Sequence, residues 1–273
     1  MFAELLQNVR TSHPLVHSIT NRVTINDCAN VLLACGASPI MADDPGEAAD
    51  VTAGCDALTL NLGTLDQRRI PAMLAAGRRA NELGHPVVLD PVGAGASPLR
   101  TETALRLLRE GKPTAVRGNM SEIRALARAG GGAHGVDADR ADRVTEETLD
   151  RAAEFVRQFA ARAGVIASVT GPIDLVSDGV RVFCIRNGHP MMGLVTGTGC
   201  QLSVLTAAFL AANPDRPLEA AAAAVASMGL AGEIGWSNMH PTDGNSTYRN
   251  RIIDAIFHMD GAALDKGAKY EVR

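Results

Sequence analysis

Pro86-Val87-Val88-Leu89-Asp90-Pro91-Val92-Gly93-Ala94-Gly95 is the stretch on which the fold turns. Residues 86–90 form an apolar run closed by an acid and a glycine-bearing turn. A strand with one wet face would alternate, whereas an unbroken run reads as a strand buried on both faces. Such strands belong to parallel sheets covered by helices, so helical segments should flank this one. Residues 67–83 before it and 101–110 after it carry helical spacing. Working outward toward the N-terminus, 57–61 reads as a strand. Residues 38–41 form a short strand ending in the acidic turn Ala42-Asp43-Asp44-Pro45, 26–33 is helical and 14–19 extended. In the other direction 114–117 is extended, 121–127 helical, 145–162 a long amphipathic helix and 165–169 a strand. The alternation is that of an α/β domain with a mostly parallel sheet.

The texture changes near residue 171. Residues 173–177 and 180–185 flank Asp178-Gly179, an antiparallel hairpin signal. A helix-only tail is expected after that, with helices over 200–212, 218–237 and 246–264. The run Gly130-Gly131-Gly132-Ala133-His134-Gly135 is a surface loop by composition. With no repeat and no Pro- or Ser-rich linker, residues 1–273 read as one domain.

Composition narrows the function classes. Of the 273 residues, 46% are apolar and 21% charged, enough for a large core. A net charge of −4 and 3% aromatics argue against nucleic acid as a partner. Lysine occurs only at Lys112, Lys266 and Lys269, so phosphate charge must be met by arginine, metal or backbone N–H groups. Cys28, Cys35, Cys55, Cys184 and Cys200 form no CxxC pair and are odd in number, which suits a reducing cytoplasm. The start, Met1-Phe2-Ala3-Glu4, lacks the basic-then-apolar pattern of a signal peptide. The alanine-rich run between Glu219 and Glu233 is expected to be too short and too weakly apolar to span a bilayer. Its small residues, Ala220 to Ala224, would allow close helix approach within a subunit or at an interface.

Three segments carry candidate chemistry. Thr196-Gly197-Thr198-Gly199-Cys200 falls where a strand or hairpin gives way to a helix. Glycines there expose consecutive N–H groups at a helix N-terminus, a place suited to an anion, although a tight turn without ligand has the same composition. Cys200 stands in the first helical turn, where the dipole should lower a thiol pKa. No Walker motif competes, since Gly111-Lys112 runs into Pro113. Asp90 ends a parallel strand on the rim where open α/β sheets bind ligands, or else simply closes a turn. Arg117-Gly118-Asn119-Met120-Ser121-Glu122 offers Asn119 as an N-cap with Glu122 three positions on. Glu122 could equally turn toward Mg²⁺ beside Asp90. His17 reads as a satisfied packing histidine and Met41 as core filler.

The order and wording of HSITNRVTINDCAN, GASPIMADDPGEA, LNLGTL, LDPVGAG, VRGNMSEI, VTGPIDLVSDG and VTGTGC closely resemble the hydroxyethylthiazole kinase family, from about His17 to Leu210. The resemblance implies a ribokinase-like three-layer fold and transfer of a phosphoryl group from ATP, with Mg²⁺, to the primary alcohol of 4-methyl-5-(2-hydroxyethyl)thiazole. It also implies a homotrimer with the thiazole bound between subunits. By position, Met41, Asn21 and Gly197 are implied as thiazole-site residues. Arg117, Thr170 and Asn119 are implied as ATP contacts, and Asp90 and Glu122 as the acids near Mg²⁺. Cys200 takes the place where most ribokinase-like enzymes carry an aspartate base, with Gly197 and Gly199 forming the anion hole before it. Two positions depart from the family: Leu194 where a lysine is common, and Pro172 where an acid often follows VTG.

Other enzymes of the same fold give the competing readings. A pyrimidine or pyridoxal kinase would typically carry Asp at the position of Cys200. A nucleotide-dependent hydro-lyase would lack the ITN and GASPIM segments. A sensor without turnover fits poorly with intact Asp90, Glu122, Arg117 and Cys200.

Overall fold

The computed structural model describes residues 1–130 and 143–273. Its sheet is built from β1 (Leu15–Ile19), β2 (Ser38–Ile40), β3 (Ala57–Asn61), β4 (Val87–Asp90), β5 (Ala115–Asn119), β6 (Ile166–Thr170), β7 (Asp174–Ser177), β8 (Val182–Ile185) and β9 (Tyr270–Val272). Among the described residues these form one sheet in the order β2-β1-β3-β4-β5-β6-β7-β8-β9. The strands from β2 to β6 pair in parallel. From β6 to β9 the pairing is antiparallel. All four residues of β4 are buried, as its unbroken apolar run requires.

Side-chain alternation along the strands feeds two cores. Val16, Ala57, Val88, Ala115 and Val176 face one, with helices α1 (Phe2–Ser12), α2 (Ile25–Cys35), α8 (Thr198–Ala212), α9 (Pro217–Ser237), α10 (Asn245–His258) and α11 (Gly261–Gly267). Leu58, Leu60, Leu89, Val116 and Leu175 face the other. That face is covered by α3 (Ala48–Ala53), α4 (Arg69–Leu83), α5 (Pro98–Glu110), α6 (Met120–Ala129) and α7 (Leu149–Ala163). The result is three layers, helix, sheet and helix.

Both α8 and α9 are apolar on all sides because they lie inside the molecule. Ala220 to Ala224 are fully buried, so the small residues serve packing within the subunit. Contrary to the sequence expectation, α9 is long and apolar enough by composition to cross a membrane. Its most apolar window is nevertheless 83% buried inside the fold, which explains the composition without lipid.

The tail departs from the expected run of helices. A single helix over 246–264 is interrupted at Met259, where the backbone is extended. Asp260 then caps α11 by accepting the Ala263 N–H at 2.7 Å. After α11 the chain returns to the sheet as β9. The hairpin turn takes in 178–181, with Asp178 Oδ1 accepting the Val180 and Arg181 N–H groups, so β8 starts at Val182. Gly130 ends α6, and residues 131–135 of the glycine run lie outside the described residues.

Candidate functional site

The parallel register places Asn61 beside Asp90 and Asn119 beside Thr170, all at the carboxyl ends of their strands. Asp90 is wholly buried. A buried carboxylate is tolerable only when it is bonded. Its Oδ2 accepts Asn61 Nδ2 at 2.7 Å and Ser203 Oγ at 2.7 Å, with Arg117 Nη1 at 3.6 Å. Oδ1 has no partner. Burial pushes the Asp90 pKa up, while Arg117 and the two hydrogen bonds act to hold it down.

Above Asp90 two amides and a thiol interlock. Asn61 Nδ2 also donates to Cys200 Sγ at 3.3 Å, and Asn61 Oδ1 accepts Asn21 Nδ2 at 3.0 Å and the Gly63 N–H at 2.9 Å. Asn21 Nδ2 donates its second hydrogen to Cys200 Sγ at 3.1 Å, and Asn21 Oδ1 accepts the Val23 N–H at 3.1 Å. Each amide nitrogen spends both hydrogens, and each amide oxygen takes a backbone N–H. The side chains therefore cannot be flipped without losing bonds. Cys200 Sγ thus faces two N–H donors and acts as an acceptor.

The helix terminus does not lower the thiol pKa as expected from the sequence. Burial and the charge of Asp90 push it up, against the favourable effects of Thr24, Asn21 and Arg117. Desolvation of the charged form outweighs the dipole and the donors together.

The glycines before Cys200 make room for its neighbours. Gly197, the N-cap of α8, has φ +90°, and a Cβ there would lie 2.5 Å from Thr24 Cγ2. A Cβ at Gly199 would lie 2.5 Å from Arg117 Nη1. Arg117 Nη2 in turn donates to Thr170 Oγ1 at 2.8 Å. No side chain among the described residues caps α8, which leaves its first N–H groups for an anion. The cavity in front of them is about 320 Å³ and is lined by Asn21, Thr24, Arg117, Asn119, Glu122, Gly197, Gly199 and Cys200, among others.

Both readings of Glu122 bear on the site. The capping box is formed: Glu122 Oε2 accepts the Asn119 N–H at 2.8 Å, and Asn119 Oδ1 accepts the Glu122 N–H at 2.9 Å. Oε1 accepts the Gly93 N–H at 2.9 Å, tying α6 to the loop after β4. Glu122 nonetheless lines the cavity. Among the described residues no cluster of three or more His, Cys, Asp or Glu side chains could hold a metal alone. Mg²⁺ asks for less, one or two carboxylates plus phosphate oxygens. Glu122 and the unpartnered Oδ1 of Asp90 fit that sparse donor set.

Some expected residues stand elsewhere. Asp90 lies beneath the cavity wall, and Thr170 is linked to the cavity through Arg117. Met41, just past β2, is half-buried against the core and does not line the cavity of its own chain. His17 is a packing histidine: Nε2 bonds Ala42 O at 2.8 Å and Nδ1 bonds Thr52 Oγ1 at 2.8 Å, and burial lowers its pKa. Leu194 is 66% exposed at the end of a 3₁₀ turn. Near Pro172 an acid is still present, since Asp174 Oδ1 accepts the Gly171 N–H at 2.9 Å. Burial raises the Asp174 pKa to about 7. Asn61, Ser203 and Thr24 were not singled out by sequence reasoning. The available signal was LNLGTL, which ends its strand at Asn61 as LDPVGAG ends its own at Asp90.

Comparison with known proteins bears on the site's chemistry. A family model described as the hydroxyethylthiazole kinase family matches residues 6–261. The chain is 52% identical over 271 residues to the hydroxyethylthiazole kinase of Clostridium acetobutylicum, covering 99% of each. It is 46% identical over 271 residues to that of Methanoculleus marisnigri, covering 99% of this chain and 93% of the relative. The solved structure of a hydroxyethylthiazole kinase protein from Pyrococcus horikoshii matches with a TM-score of 0.88 at 36% identity, covering 100% and 98% of the two chains. A pyridoxal kinase from Staphylococcus aureus matches with a TM-score of 0.61 at 18% identity, covering 95% of this chain and 97% of that one, and so shares the ribokinase-like fold.

Proposed function

The chain belongs to the hydroxyethylthiazole kinase family, and from that premise we propose that the cavity at the α8 N-terminus transfers the γ-phosphoryl group of ATP to 4-methyl-5-(2-hydroxyethyl)thiazole. The observation that carries this reading is the meeting of three things in one cavity: an uncapped helix N-terminus, the Arg117 guanidinium and an acceptor thiol at Cys200.

Phosphoryl transfer through a loose transition state asks the protein for positioning and charge stabilisation. The N–H groups of residues 197–200 face the transferring group, and Arg117, braced by Thr170, supplies a fixed cation. The alcohol oxygen bonds to the γ-phosphorus as the bond to the β–γ bridging oxygen breaks, and ADP leaves. Cys200 orients the attacking hydroxyl, and its thiolate, the minor form at neutral pH because burial holds the thiol pKa up, is the form that can take the proton late in the step. Its raised pKa argues against early deprotonation. Mg²⁺ would be held by Glu122, directly or through water, with Asp90 behind it, and would supply charge neutralisation on the phosphate oxygens. Asn21 and Gly197 form the wall nearest the thiol, which is where a thiazole alcohol must approach.

We also infer a homotrimer in which Met41 completes a neighbour's thiazole site. Met41 does not line the cavity of its own chain, and Val23, 64% exposed, adds apolar surface to the cavity lining. Five free cysteines suit a reducing cytoplasm. Light scattering on the purified protein tests the assembly, and a monomer mass at assay concentration would remove it.

The function is tested by ADP release from Mg-ATP with the thiazole alcohol, pyridoxal or a hydroxymethylpyrimidine as acceptor. Thiazole-dependent release, with a product heavier by one phosphoryl group, is expected. Stimulation by another alcohol in place of the thiazole would overturn the assignment.

A further inference from the structure

Arg100 occupies the first turn of α5, three residues after the N-cap Ser97. A helix N-terminus carries partial positive charge, so a cation there is disfavoured by the helix itself. What holds Arg100 lies outside the helix. Its Nη1 donates to Leu62 O at 3.0 Å and to Val92 O at 2.7 Å, and its Nη2 donates to Gly63 O at 2.6 Å. These carbonyls belong to the loops after β3 and β4, and Gly63 and Val92 line the cavity. Gly93 makes the space: its φ is +76°, and a Cβ there would lie 2.8 Å from Nη1. The Gly93 N–H goes to Glu122, so the loop after β4 is held by Arg100 through a carbonyl and by Glu122 through an N–H.

The charge balance of Arg100 differs from that of Arg117 and Arg69. Arg117 faces Asp90, and Arg69 pairs with Asp43 at 3.0 Å. The partners of Arg100 among the described residues are the three carbonyl oxygens, which offset a full positive charge only in part.

We propose that Arg100 is a positioning residue for the phosphoryl donor: it fixes the Gly63 and Val92 walls and adds a positive charge, paired with no carboxylate among the described residues, that favours a nucleoside triphosphate. This rests on the kinase reading above. In a chain with three lysines, it is a second arginine beside Arg117 to meet phosphate charge.

The test uses Arg100→Gln, which keeps a donor and removes the charge, and Arg100→Lys, which keeps the charge and loses the fork. Binding of Mg-bound adenosine 5′-(β,γ-imido)triphosphate is measured by calorimetry, with KM for ATP and for the thiazole alcohol and the thermal midpoint of each variant. Arg100→Gln is expected to weaken the analogue at least tenfold while leaving KM for the alcohol within threefold. Arg100→Lys is expected to bind the analogue within threefold of wild type at reduced kcat. Analogue affinity unchanged in Arg100→Gln would overturn the proposal. So would Gln and Lys variants that lose affinity equally and in step with thermal stability. If Arg100→Gln does not fold, Arg100→Lys decides alone, and a tenfold loss with the charge kept would overturn the charge contribution. Analogue binding needs no acceptor alcohol, so a wrong acceptor leaves this comparison readable.

Discussion

Replacing Asn61 by leucine keeps the branched shape, in a somewhat larger side chain, and deletes four hydrogen bonds at once. The first joins Nδ2 to Asp90 Oδ2 at 2.7 Å, a bond to a buried carboxylate. Removing such a charge-assisted bond costs about 1.5–3 kcal/mol. Two more leave the Gly63 N–H and Asn21 Nδ2 without their acceptor, about 0.5–1.5 kcal/mol each. The fourth, to Cys200 Sγ at 3.3 Å, is weak and adds little. The sum is roughly 4 kcal/mol, a fall in thermal midpoint of roughly 8–16 °C for a domain of this size. Urea unfolding with a native-like slope gives the loss directly. Ser203→Ala, which removes the second short bond to Asp90 and a longer one to Gly199 O at 3.2 Å, should cost less. In the folded Asn61→Leu fraction kcat should fall as well, because Cys200 Sγ keeps one N–H donor of two. A stability loss below about 1 kcal/mol would refute the closed network of Asn21, Asn61, Asp90 and Cys200.

Other perturbations probe separate parts of the site. Cys200→Ala should lower kcat on the order of 100-fold without reaching background, and Cys200→Asp should stay active; a Cys200→Asp no better than Cys200→Ala would remove the base role. Because burial holds the thiol pKa up, wild-type kcat should rise with pH in the alkaline range, and that rise should vanish in Cys200→Asp. Gly199→Ala puts a methyl 2.5 Å from Arg117 Nη1. The guanidinium must swing away from Thr170, and KM for ATP should rise roughly 10–100-fold, the equivalent of one lost charged hydrogen bond. Asp174 has a folded pKa of about 7 against an ordinary 3.8, so its ionisation destabilises the fold as pH rises through that window. Asp174→Asn should therefore add up to about 4 kcal/mol at pH 8, the full worth of a pKa moved from 3.8 to about 7, and nothing at pH 3. Equal effects at both pH values in urea unfolding would contradict this.

Much of the architecture is legible in the sequence because buried parallel strands need continuous apolar runs, and β3 and β4 show them plainly. Elements whose signal is amphipathic rather than apolar are harder to read. The α1 helix buries Phe2, Leu5, Leu6 and Val9 at helical spacing but lies where no strand rhythm draws attention to it. The edge strand β9 has only three residues, and its place is fixed by pairing with β8 rather than by composition. At the site, Asp90, Glu122 and Cys200 stand out by residue type. Asn61 does not, because an asparagine at a strand end also reads as a turn former. Its role depends on register: one strand away, Asp90 is its direct partner. The Cys200 thiol departs from the sequence expectation for a related reason. The helix terminus is visible in the sequence, whereas the burial that outweighs it is a property of the assembled fold.

The most direct test of the proposed chemistry is a crystal structure of the protein with the thiazole alcohol and the Mg-bound imido analogue of ATP. The alcohol oxygen is expected within hydrogen-bond reach of Cys200 Sγ, with the γ-phosphoryl group on the N–H groups of residues 197–200 and beside Arg117. An alcohol or terminal phosphate seated away from the α8 N-terminus, with Cys200 touching neither, would contradict it.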